Sequence, residues 1–306
     1  MLRKRKKAVS LVLMAFLFLL PSTMSFALVC GDVDCSGGDP DVTDITRLID
    51  FLYLSHNPLC YPLLADVNDS GGEPDVSDIT TLIEHLYLTH EPLVCPPPAI
   101  IMDIDFNTYH TIKIGNQWWL KENLRVTRYR NGQTIPNVTD KNTWQVLSTG
   151  AYCCYNNDEG TVATYGLLYN WYAVNDGRHL APWGWHIPSD EEWRQLEINL
   201  GMSPAQSVSS GWRGTDEGGK LKEIGTIHWI SPNYGATNET GFTAIPSGTR
   251  WFIGTFGDIN EWADFWSSVE KNSNYAPARH LYYLESRILA QSMEKRTGLS
   301  VRCVRD

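Results

Sequence analysis

The chain has 306 residues, with 35 acidic and 25 basic side chains, for a formal net charge of −10. Five of the bases (Arg3, Lys4, Arg5, Lys6 and Lys7) stand at the N-terminus, and residues 28–98 hold 13 acids against one base, Arg47. No basic stripe remains to follow a phosphate backbone, which excludes nucleic acid as a partner, and the length suits two domains.

The basic opening leads into Ala8–Leu20, apolar apart from Ser10 and too short to span a bilayer comfortably. Ser25-Phe26-Ala27 offers small residues for cleavage, so residues 1–27 read as a signal peptide. The mature protein is then extracellular or on the cell surface, with no membrane segment. Seven cysteines in an exported chain imply disulfides with one thiol left over.

Two acidic loops follow at an offset of 34 residues: D-V-D-C-S-G-G-D-P-D-V-T-D from Asp32 to Asp44, and D-V-N-D-S-G-G-E-P-D-V-S-D from Asp66 to Asp78. Oxygen side chains at the first, third and fifth positions, then glycine, then further carboxylates suit Ca²⁺, which gathers about six to eight oxygens. Each loop runs into an amphipathic helix, with Ile45, Leu48, Ile49 and Leu52 on one stripe and Ile79, Leu82, Ile83 and Leu86 on the other. About 70 residues supply little core, so metal binding carries part of the folding free energy.

Loops and helices together resemble a type I dockerin, the duplicated module that docks onto cohesin partners. The resemblance implies two Ca²⁺ ions, one held by Asp32, Asp34, Ser36, Asp41 and Asp44, the other by Asp66, Asn68, Ser70, Asp75 and Asp78. It places partner-reading positions at Val42/Thr43 and Val76/Ser77. Each loop is one residue longer than the family pattern, around Gly38-Asp39-Pro40 and Gly72-Glu73-Pro74, and serine replaces the usual aspartate at the fifth position. Because the ends of such modules approach each other, Cys30 and Cys95 are the expected bridge. Whether Cys35 pairs with Cys60 stays open.

Pro96-Pro97-Pro98 reads as a stiff linker between a module at 28–95 and a domain at 99–306. All twelve tryptophans lie in the latter, between Trp118 and Trp266. Residues 100–120 read as a hairpin, Tyr165–Val174 as a helix, and the last nine residues as a final strand. A clearer helix begins after Ser189, whose side chain and Glu192 form a capping box; Trp193, Leu196 and Leu200 share a face, and Gly201 ends it.

The phrases I-G-N-Q-W-W-L-K-E-N-L, Y-G-L-L-Y-N-W-Y-A-V-N-D, G-W-H-I-P-S-D-E-E-W, G-A-T-N-E-T-G-F-T-A-I-P-S-G and V-R-C-V-R-D resemble, in order, the major paralogous domain first described from Fibrobacter succinogenes. That resemblance implies an α+β domain similar to C-type-lectin-like and formylglycine-generating-like folds. Ala181 stands where relatives commonly have a cysteine, so Cys303 is left to Cys153, to Cys154, or to none.

No nucleophile elbow, phosphate loop or HExxH occurs, so no catalytic residue is assigned and the chain is expected not to be an enzyme. His186 reads as a packed side chain, and Asp190, Glu191 and Glu192 as first-turn acids. Trp212, Trp251 and Trp262 sit among glycine and polar residues and are the candidates for stacking on a carbohydrate or a surface protein. The fold class expected is multidomain: a small all-α calcium-binding loop–helix repeat plus an α+β C-type-lectin-like domain. The function expected is a secreted docking and ligand-binding protein. The alternatives are a surface protein with a calcium-stiffened spacer, or a polysaccharide-degrading enzyme.

Overall fold

The computed structural model describes residues 29–305, apart from 37, 60, 61, 71, 72 and 98. The expected signal peptide, Cys60 and Pro98 therefore lie outside the described residues. The chain divides between Pro96 and Pro97 into two compact units, each described by itself.

The N-terminal unit carries two helices, α1 (Val42–Ile49) and α2 (Val76–Tyr87). Both open on the same double cap. The carboxylate of Asp41 accepts from the Thr43 N–H at 2.7 Å, and Asp44 reaches back to the Asp41 N–H at 2.8 Å. Asp75, Ser77 and Asp78 repeat this at 2.7 and 2.8 Å. The helices share one small core, with Leu48 and Leu82 fully buried beside Val33, Ile45, Val67 and Ile79. Ile49 and Ile83, expected in the stripe, are exposed instead. They sit at its edge and turn outward with Val42 and Val76. A Cys30–Cys95 disulfide joins the ends of the unit. Cys35 is also disulfide-bonded.

The C-terminal unit is α+β, with several antiparallel sheets and short helices. One sheet runs in the order β1 (Ile100–Met102), β2 (Thr108–Ile114), β3 (Gln117–Leu120), β13 (Val304–Arg305), β6 (Trp185–His186). The opening segment thus forms three strands, one more than a hairpin. The final strand closes the sheet, Val304 pairing with Trp119 on one side and His186 on the other. A second sheet runs β10 (Trp262–Trp266), β11 (Tyr275–Tyr282), β12 (Ile288–Glu294), β7 (Gly211–Arg213). Two pairs complete the set: β4 (Tyr152–Cys153) with β5 (Leu168–Tyr169), and β8 (Ser247–Arg250) with β9 (Phe256–Ile259).

The second sheet lies between two cores. Alternation along W-A-D-F-W sends Ala263 and Phe265 into one and Trp266 into the other. Four short helices matter here: α3 (Lys141–Gln145), α4 (Val162–Tyr165), α5 (Trp171–Val174) and α6 (Asp190–Asn199). Helix α6 has the expected capping box, Glu192 accepting from the Ser189 N–H at 2.7 Å, and buries Trp193 and Leu196. The continuous helix expected over Tyr165–Val174 is corrected. It breaks at Gly166 (φ 75°), passes through β5, and restarts at α5 on an Asn170 cap. A Cβ at residue 166 would stand 3.0 Å from the carbonyls of Asn123 and Leu124, so the close approach there demands glycine.

Buried arginines tie the loops to this frame. Arg302 donates to Asn123 Oδ1 at 2.7 Å and to the carbonyls of Leu120, Phe242 and Thr243, and burial pushes its pKa down to about 9. Arg250 lies 4.2 Å over the Trp144 ring and donates to Val138 and Thr139. Cys153, Cys154 and Cys303 are thiols, all buried, and burial pushes Cys153 up to about 12.

Candidate functional site

The first acidic loop gathers three carboxylates. Oxygens of Asp32, Asp34 and Asp44 all lie within 4.8 Å of one another, the sole such group of three among the described residues. That span suits a cation bonded to each at about 2.3–2.6 Å. Buried Asp44 forms the hinge of the loop, its Oδ1 accepting from the N–H groups of Val33 (2.7 Å) and Asp34 (3.0 Å). Burial raises its pKa, and the charge on Asp34 adds to the rise. Burial also acts on Asp34, but hydrogen bonds from Thr43 and Ser36 outweigh it and hold that carboxyl below the usual range. The donor set is therefore one that a bound cation would complete. Asp41 stands apart as the helix cap, exposed, with Oδ1 shared between the N–H and hydroxyl of Thr43. Ser36 is exposed, and its N–H meets Asp34.

The second loop repeats the frame with one carboxylate fewer among its candidate ligands. Asp78 accepts from the Val67 N–H at 3.0 Å, and both Asp66 and Asp78 are buried. Asn68 replaces the aspartate of the first loop, with its Oδ1 on the Ser70 N–H at 2.9 Å and its amide on Ser77 at 2.8 Å. Asp75 caps its helix as Asp41 does. One carboxylate fewer predicts weaker cation binding here.

In the C-terminal unit, two of the three candidate tryptophans meet. Trp262 on β10 faces Tyr282 across the register of β11, and Trp212 on β7 stands beside them. The rings form a stack, Trp262–Tyr282 at 4.2 Å and 26°, Trp212–Trp262 at 6.1 Å and 28°. Arg287 lies 5.6 Å over Trp212, held by Glu285 at 2.7 Å. Beneath the turn, the buried ammonium of Lys222 donates to the carbonyls of Tyr282 and Glu285, and burial pushes its pKa down to about 8. The array is thus positioned by sheet register and by a buried cation. Trp251 is elsewhere, in the turn between β8 and β9, and makes no ring contact with the other two among the described residues.

Sequence reasoning missed Tyr282, although strict alternation in W-A-D and H-L-Y would pair Trp262 with Tyr282 and Asp264 with His280 once the strands were known to be partners. It also missed Trp183, the most exposed tryptophan at 79%, which lies against the Arg130 guanidinium at 4.8 Å. His186 is half-buried rather than a core side chain, with Nε2 2.6 Å from Glu192.

Behind Trp262, buried His280 meets Asp264 at 2.7 Å, and Thr249 donates to the same carboxylate at 2.5 Å. Asp258 approaches this group, and burial, reinforced by Asp264 and Glu261, pushes its pKa up to about 6. The folded state then holds that proton more tightly than the unfolded chain, where the value is about 3.9. Stability is fully present below about pH 4 and is lost as pH rises through 6. Asp258→Asn should therefore stabilise the protein at pH 7 and change it little at pH 4. Asparagine also tolerates the local φ of 68°. Urea denaturation at the two pH values measures it, and an equal effect at both would refute the assignment.

Among the described residues no helix is long and apolar enough to cross a membrane. No curated protein and no solved structure matches the chain. Residues 112–305 match the family model described as the Fibrobacter succinogenes major domain, a span that takes in the ring array, most of both cores and the closing strand. The chain belongs to the Fibrobacter succinogenes major domain family.

Proposed function

We propose that this is an exported, non-catalytic binding protein whose C-terminal unit, lectin-like in fold, holds carbohydrate on the Trp212–Trp262–Tyr282 array. The observation that carries the reading is that array: three rings within 28° of parallel between neighbours, with Trp212 36% exposed and a charged Glu285–Arg287 pair at its edge. Sugar rings present C–H faces that stack on such surfaces, and rim polar groups meet their hydroxyls. Trp212→Ala should weaken binding about tenfold while leaving the melting temperature nearly unchanged. A glycan array followed by calorimetry tests this, and an intact domain that binds no glycan ends the reading.

The N-terminal unit, in the same proposal, is a dockerin-like module that binds two Ca²⁺ and docks onto a cohesin-like partner. Its support is the duplication of exposed apolar positions: Val42, Ile49, Tyr53 and Leu54 recur 34 residues later as Val76, Ile83, Tyr87 and Leu88, all at least 37% exposed. Calcium titration should show a tighter and a weaker site, Asp32→Ala removing the tighter and Asp66→Ala the weaker. Chelator should lower the helix content. Titration with no calcium uptake would sink the module's metal role, and failure to bind any of a cohesin panel in calcium would leave it as a spacer.

A further inference from the structure

Gly211 and Arg213 flank Trp212 on β7 and point to the other face of the second sheet, where an open cleft of about 790 Å³ lies. Its floor is a locked ion cluster. Fully buried Glu197 holds Arg213 at 2.5 Å and Arg279 at 2.6 Å. Asp190 holds Arg279 at 2.8 Å and also takes Arg194, which reaches Glu191 at 3.1 Å. These three guanidiniums are committed to one another's partners and give the floor a fixed shape.

The rim is different. Lys271 is exposed and enters no ion pair among the described residues, because its neighbour Glu270 is turned onto buried Lys295. Asn272 spends its carbonyl on the N–H groups of Asn274 and Tyr275, both at 3.0 Å, which leaves its amide donors for the cleft. The Tyr275 ring, 44% exposed, stands beside them, and Ser210 and Ser292 add hydroxyls. Four cations face three carboxylates across floor and rim, Glu191 included. The spare charge sits on Lys271, the group free to use it.

We propose that this cleft binds an acidic oligosaccharide, a carboxylate of the ligand lying on Lys271 and Asn272 and a pyranose face on Tyr275. Hydroxyl and amide donors on the rim suit a polyhydroxylated ligand, and an acidic peptide is the competing occupant that oligoglutamate tests. The site is separate from the ring array, since the two occupy opposite faces of the sheet.

Calorimetric titration of the full chain with trigalacturonate, its neutral methyl ester and oligoglutamate tests the proposal. The acid should bind, the ester about tenfold more weakly or worse, and added salt should weaken the acid alone. Lys271→Ala should cost about tenfold with an unchanged melting temperature, Tyr275→Ala should also weaken binding, and Trp212→Ala should leave it intact. Equal affinity for acid and ester, undiminished binding by Lys271→Ala, oligoglutamate binding as tightly as the sugar, or no binding of the acid would each overturn it. Loss of glycan binding by Trp212→Ala alone speaks only to the ring array.

Discussion

Replacing Trp193 with alanine is expected to cost the C-terminal unit about 3–5 kcal/mol, enough to unfold much of a marginally stable domain. Trp193 is 2% exposed and sits where four aromatic rings converge, 4.9 Å from Trp119, 6.2 Å from Phe242 and 5.8 Å from Phe265. Its indole N–H donates to the Trp266 carbonyl at 3.3 Å, so truncation leaves both a cavity and an unmet acceptor. Urea denaturation followed by tryptophan fluorescence measures the loss. A change under about 1 kcal/mol would mean that the site collapses around the smaller side chain and that the core is looser than its ring distances indicate.

The second large effect is expected at Glu197. This carboxylate is wholly buried and pairs with two buried guanidiniums, Arg213 and Arg279. Glu197→Ala leaves both buried cations short of a counter-charge and should cost about 3–5 kcal/mol. Glu197→Gln keeps the volume and part of the hydrogen bonding and should cost less. Replacing Glu197, Arg213 and Arg279 together by apolar residues of similar size should recover much of the stability, because the desolvation penalty of all three charges disappears. If the triple variant is no more stable than Glu197→Ala, the cluster supports the fold through shape rather than charge balance.

Much of the N-terminal unit was legible in the sequence because its determinants are local. A duplicated loop and a helical stripe both act within about a dozen residues, whereas Asp41 and Asp75, assigned from the sequence to calcium, turn out to cap the two helices with a geometry that repeats to within 0.1 Å. The same holds for α6, whose box at Ser189 and Glu192 needs no distant partner. The failures were where local pattern met tertiary demand. Y-G-L-L-Y-N-W-Y-A-V has helical apolar spacing, but Gly166 must pass close to the backbone of residues 123–124, and the segment gives up a turn of helix to a strand.

The site in the C-terminal unit divides in the same way. The composition of G-W-R and N-E-W-A-D marked Trp212 and Trp262 as candidates for a surface, because glycine and charged neighbours do not build a core. Their meeting with Tyr282 depends on β10 pairing with β11 and β12 with β7, contacts separated by up to 79 residues in the chain. Trp251, marked by the same local signs, ends in a different turn because β8 pairs with β9 instead. The sequence by itself determined the repeats, the Ser189–Glu192 capping box and the family of the C-terminal domain. Strand order alone decided which aromatic rings stack and which arginines share Glu197, since sheet register is set by burial of whole faces and not by any short stretch of chain.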